Sequence, residues 1–122
     1  MTPGEISKLS NEQLNELIAV KNGFEKRPIN CSDDCANVDM VKLWCKDKPL
    51  YISARCPDYA GSWQWAGELL EEMPGWEYHV YPDYAIMHRM RLVNDKWETT
   101  QIIKPGHTRA IAEAWYLMEC EK

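Results

Sequence analysis

The chain has 122 residues, 45% of them hydrophobic, with 14 basic and 19 acidic side chains and a net charge of −5. That length and composition describe one soluble globular domain, long enough to bury a core of its own. The acidic balance, without a long run of either sign, excludes nonspecific binding along a nucleic-acid backbone, and no apolar run approaches the roughly 20 residues a membrane span needs.

Met1-Thr2-Pro3-Gly4-Glu5 carries no basic region and no apolar stretch, so no signal peptide is expected and the chain reads as cytoplasmic. Ser10-Asn11-Glu12-Gln13 has the spacing of a capping box. Leu14, Leu17 and Ile18 then follow at helical spacing, and Gly23 suits the stop, which predicts a helix over Asn11–Asn22. The polar stretch 25–37, with Pro28 and two aspartates, is expected to be a loop. Val38–Trp44, apolar enough for a strand or a short helix, and the short strand Leu50–Ser53 flank the turn-prone Lys46-Asp47-Lys48-Pro49, an arrangement that allows a hairpin. A second helix is expected over Tyr59–Met73, with Trp63, Ala66, Leu69, Leu70 and Met73 on one face and Glu68, Glu71 and Glu72 away from it. Pro74-Gly75 ends it.

Three strands follow, over Trp76–Tyr81, Tyr84–Val93 and Trp97–Ile103, separated by Pro82-Asp83 and Asn94-Asp95. In the first, Trp76, Tyr78 and Val80 oppose Glu77 and His79. In the second, Ile86, His88, Met90 and Leu92 oppose Met87, Arg89 and Arg91. The last helix, Thr108–Glu119, places Ile111, Ala114, Trp115 and Met118 on one face. The expected fold is a single-domain α+β sandwich, an antiparallel sheet of about four strands with three helices.

The element order and several motifs resemble a family of small phage-encoded proteins, the phage ABA sandwich domain. The likeness lies in Leu14, Leu17, Ala19, Gly23 and Phe24 of the first helix, in Trp44 and in Pro57-Asp58-Tyr59. It continues in Ala66-Gly67-Glu68-Leu69-Leu70-Glu71 and Ala110-Ile111-Ala112-Glu113-Ala114. The chain departs from the pattern at Ala60 and Gly61, where a Ser-Thr cap is common, and in its cysteine-bearing loop at Cys31 and Cys35. The resemblance implies a phage gene product working inside a bacterial host. It brings no catalytic residues and no cofactor.

Several side-chain groupings could carry chemistry. Cys31 and Cys35 form one close pair of the kind structural zinc uses, with Cys45 and Cys56 further along, but those two make no second pair; disulfides or buried thiols account for them equally well. His79 and His88 on neighbouring strands, near Glu77 or Arg89, could hold a metal or move a proton. Pro-Asp-Tyr-Ala occurs at Pro57–Ala60 and Pro82–Ala85, and two such turns could present Tyr59 and Tyr84 together. Arg89 and Arg91, beside Trp76 or Trp97, could stack on a base or grip a phosphate.

Glu68, Glu71 and Glu72 could mimic a row of phosphates, or simply solvate a helix face. No phosphate-cradling loop, no Ser-His-Asp spacing and no His-Glu-x-x-His occurs, so an enzyme is not expected. Acidity, six tryptophans and six tyrosines suit a protein that binds other proteins. The expectation is a host protein as partner, in its concrete form a defence nuclease that this protein inhibits. Trp63, Trp65, the three helix glutamates, Tyr59, Tyr84, Arg89 and Arg91 are the expected contact residues. A nucleotide or small ligand on the Arg/Trp strand face is the first alternative, and a cysteine/histidine metal module the second. An exposed sheet edge also allows a homodimer.

Overall fold

The computed structural model describes residues 1–28 and 42–122. The chain opens with a short helix that the sequence reading missed, α1 (Pro3–Ser7). Its proline occupies the first turn, and Thr2 and Glu5 cap one another. Helix α2 (Asn11–Lys21) starts where expected. The Gln13 amide donates to Ser10 Oγ at 3.1 Å, and the Ser10 amide donates to Gln13 Oε1 at 2.9 Å. It stops at Gly23, whose φ of 90° suits a residue without Cβ. The Phe24 amide then bonds back to the Ala19 carbonyl and the Gly23 amide to that of Val20, which is a Schellman closure.

Three strands form a first antiparallel sheet in the order β1 (Glu25–Pro28), β2 (Lys42–Lys46), β3 (Tyr51–Ser53). The β2–β3 pairing realises the strand option for the end of Val38–Trp44; residues 38–41 lie outside the described residues. Glu25–Pro28 does not belong to the expected loop; it pairs with Lys42–Cys45. Its polar sequence hides it because it lies at the sheet edge, where side chains stay exposed and a proline is tolerated. The rest of that loop, with Cys31 and Cys35, lies outside the described residues.

Helix α3 (Trp63–Glu71) begins four residues later than expected. Residues 57–62 are instead a turn held by α2: Asn15 donates to Asp58 Oδ1 at 2.9 Å and accepts from the Ala60 amide at 2.8 Å. A Cβ on Gly61 would meet Asp58 Oδ2 at 2.5 Å, so only glycine lets the carboxylate lie there.

The second sheet has the order β4 (Glu77–Val80), β5 (Ala85–Val93), β6 (Lys96–Lys104), all antiparallel. Among the described residues the strands thus form two three-stranded sheets rather than one sheet of about four, and there are four helices rather than three. The α+β class stands. Helix α4 (His107–Cys120) packs on β5 and β6 and against α1, α2 and α3. It is enclosed on all sides: every residue from Ala110 to Leu117 is buried. Its alanines admit neighbours on each flank, so it reads as buried all round rather than as one apolar stripe. The chain's core gathers Leu14, Ile18, Leu69, Met87, Ile111 and Trp115 around it. Among the described residues, no helix is long and apolar enough to cross a membrane.

Candidate interaction surface

The β4–β6 sheet has one face on the helices and one face in solvent. Alternation assigns the residues, and the β5–β6 hairpin sets the register. Asn94 and Asp95, with φ of 52° and 63°, make a turn with both central residues left-handed, which matches strand twist and suits Asn and Asp. Leu92 then lies opposite Trp97, Met90 opposite Thr99, and Ile86 opposite Ile103. On the next strand, His79 and Glu77 lie opposite Ile86 and His88. The outer face therefore carries an apolar row, with Met90 54%, Leu92 57%, Trp97 68% and Ile103 54% exposed. At one border Glu77 bonds His79 Nε2 at 3.2 Å and lies 3.7 Å from His88 Nδ1. The sequence reading brought these two histidines together beside Glu77, and the structure does the same. Among the described residues no group of three metal-ligating side chains is placed to hold an ion.

The inner face holds the correction. Arg89 and Arg91 share a face with Met87, as expected, but that face points to the helices. Arg89 is buried and makes two hydrogen bonds to Glu121, at 2.7 and 2.8 Å, and Arg91 adds a third at 3.1 Å. The Arg89 guanidinium lies 4.6 Å from the centre of the Trp76 ring, an orientation the ring quadrupole favours. The two arginines tie β5 to the end of α4, Arg89 buried at that junction and Arg91 still 41% exposed. The same bond from Arg89 holds the Glu121 carboxyl below its ordinary range. A depressed carboxyl pKa adds stability that is present above the unfolded value, about 4.3, and is lost as pH falls through the folded value. Glu121→Gln is therefore expected to be less stable than wild type at neutral pH, with the difference shrinking below about pH 4. Urea midpoints of both proteins between neutral pH and about pH 3 check this; a difference that does not change with pH refutes it.

The other expected contact residues are scattered. Trp63 is exposed at the start of α3, edge-on to Tyr78 and His107. Tyr59 is buried, its ring against Trp65 and its hydroxyl accepting from Asn22 at 3.3 Å. Tyr84 lies at the surface, stacked on Tyr81. The two Pro-Asp-Tyr-Ala turns thus share no tyrosine surface: the first is pulled inward by Asn15, and the second stays in solvent. Trp65, Glu68 and Glu72 line a cavity of about 370 Å³ together with Tyr59, Phe24 and Tyr51. Glu72 is occupied by the Trp115 indole N–H at 2.8 Å. Glu71 is exposed. Among the described residues Glu68 and Glu71 make no hydrogen bond or ion pair, while Glu72 serves the fold.

Of the cysteines, Cys45 is buried and donates to the Leu43 carbonyl at 3.5 Å. Burial pushes the Cys56 thiol up to about 12, which leaves it protonated and unreactive at neutral pH. Among the described residues Cys45, Cys56 and Cys120 are free thiols. Sequence reasoning missed Met90, Leu92 and Ile103 as surface residues, because alternation shows two faces without saying which one the helices cover. No family model, no curated protein and no solved structure matches this chain.

Proposed function

We propose that this protein works by binding another protein through the outer face of β4–β6. The observation that carries the reading is the exposed apolar row of Met90, Leu92, Trp97 and Ile103 on one rigid sheet face. Met90, Leu92 and Trp97 make one apolar patch near the turn and Ile86 with Ile103 a second, with His88 and Gln101 between them; apolar surface set among polar groups is how protein interfaces are built. The net charge of −5 and the pairing of Arg89 and Arg91 with Glu121 turn the reading away from nucleic acid and nucleotides. The phage resemblance sets the partner as a bacterial host protein, and inhibition of a defence nuclease is the concrete form of that reading. A catalytic role is not part of it.

The test starts with capture from bacterial lysate after nucleic acid is digested, then purification of the captured protein and measurement of its affinity. Wild type is expected to bind, and the double variant Leu92→Lys/Trp97→Lys to bind at least about tenfold more weakly. Its melting temperature should be unchanged, since both side chains stand in solvent. Equal affinity of the two proteins, or no binding by the purified partner, sinks the reading.

A further inference from the structure

The free edge of β6 is a second feature of the same sheet. The two-residue turn at Asn94 and Asp95 closes with the Val93 carbonyl and the Lys96 amide. Hydrogen-bonded and non-hydrogen-bonded pairs alternate along an antiparallel ladder. The main-chain groups of Trp97, Thr99, Gln101 and Ile103 therefore point away from β5. Among the described residues β6 pairs with β5 alone. The ladder runs unbroken through nine residue pairs, without a bulge or a proline inside it. An edge this long and regular is a template for another strand.

We propose that a second copy of this chain covers it, the two β6 strands pairing antiparallel about a two-fold axis at Gln101. Hydrogen-bonded partners must come from the outward-pointing residues, which leaves three central axes. An axis at Thr100 sets Lys96 against Lys104 of the second copy, and like charges in direct opposition destabilise a ladder. An axis at Thr99 sets Glu98 against Thr100 and matches no opposite charges. The axis at Gln101 sets Glu98 against Lys104 of the second copy, twice by symmetry, and puts Thr99 against Ile103.

Both charged groups are on the inner side of the sheet, where Glu98 lies 3.7 Å from Arg91 and Lys104 lies 3.3 Å from Glu113. Each thus keeps a partner within its own chain, and the pairing adds an opposite charge from the second copy beside it. The product is a continuous six-stranded sheet with the two apolar outer faces side by side. The inference rests on the edge and its register, and stands independently of the host-partner reading.

Sedimentation velocity over a concentration series tests it on the full chain. Wild type is expected to reach twice the chain mass. Gln101→Pro removes a donor that β5 does not use, so it should leave a folded monomer. Glu98→Lys turns both charge pairs repulsive and should weaken the dimer about tenfold at low salt, less at high salt. Amide exchange should show concentration-dependent protection of Thr99, Gln101 and Ile103. A wild type that stays monomeric overturns the proposal, as does a dimer unaffected by Glu98→Lys. If Gln101→Pro fails to fold, Glu98→Lys and the exchange pattern decide. A dimer that fails to capture any host protein sinks the proposed function and leaves this inference standing.

Discussion

Arg109→Ala is expected to cost about 3–5 kcal/mol of folding free energy, a large part of the 5–15 kcal/mol typical of a domain (an order-of-magnitude range). Arg109 sits in the first turn of α4 and serves three segments at once. Its Nε bonds Glu113 at 2.7 Å, one turn further on, and Glu113 is only 2% exposed. Its other nitrogens bond Asn11 Oδ1 at 2.8 Å and the carbonyls of Ile6 and Leu9 at 3.1 and 2.7 Å. Those carbonyls belong to the end of α1 and the link to α2, where a helix end runs short of N–H donors; Ile6 has the Leu9 amide besides, at 3.1 Å.

Removing the guanidinium leaves a buried carboxylate with Lys104 alone and takes the donor from the Leu9 carbonyl, while the Ile6 carbonyl keeps the Leu9 amide at 3.1 Å. Breaking one half of a buried pair costs more than replacing the pair, because the stranded charge keeps its desolvation penalty. The double variant Arg109→Met/Glu113→Leu is therefore expected to recover part of the loss. Urea unfolding of wild type, single and double variants measures it; a single variant within about 1 kcal/mol of wild type would show that Lys104 and solvent suffice.

Trp115→Ala is expected to cost a similar about 3–5 kcal/mol. Trp115 is 2% exposed in the middle of α4, and its indole N–H reaches Glu72 at the end of α3. The alanine leaves a cavity that the surrounding helices fill incompletely, and it frees the Glu72 carboxylate. Trp115→Phe keeps most of the volume and should lose about half as much. Thermal unfolding of the two variants separates packing from the hydrogen bond: equal losses would assign the effect to the bond with Glu72 and refute the cavity account.

Much of the fold was legible in the residues. Ser10 and Gln13 mark the start of α2 and Gly23 its end, because caps are local chemistry. The alternation from Ala85 to Lys104 marks the hairpin, because a strand has period two. What stayed hidden depends on distant partners. Arg89 and Arg91 read as solvent-facing because charged residues usually are. The burial of Arg89 and the inward pairing of Arg91 are decided by Glu121, which lies 32 and 30 residues away in the chain. The outer row of Ile86, Met90 and Leu92 was read correctly as a face and left out as a site for the same reason.

Tyr59–Ser62 read as the first turn of a helix. The segment is a turn because Asn15, 43 residues away from Asp58, holds it. β1 was read as loop because an edge strand of Glu25, Lys26 and Arg27 has no buried face to betray it. The candidate surface was legible in part: Trp97 and the His79–His88 pair could be placed on strands, but not the side that α4 leaves open.

The enclosure of α4 also orders events during synthesis. Residues 1–106 are made before it, and until it arrives α2, α3 and the β4–β6 sheet have nothing to close around. Intermediate-length nascent chains therefore present the apolar sides of those elements to whatever surrounds them. A chaperone holding the growing polypeptide has its clearest target in that interval, and release should coincide with emergence of the final helix.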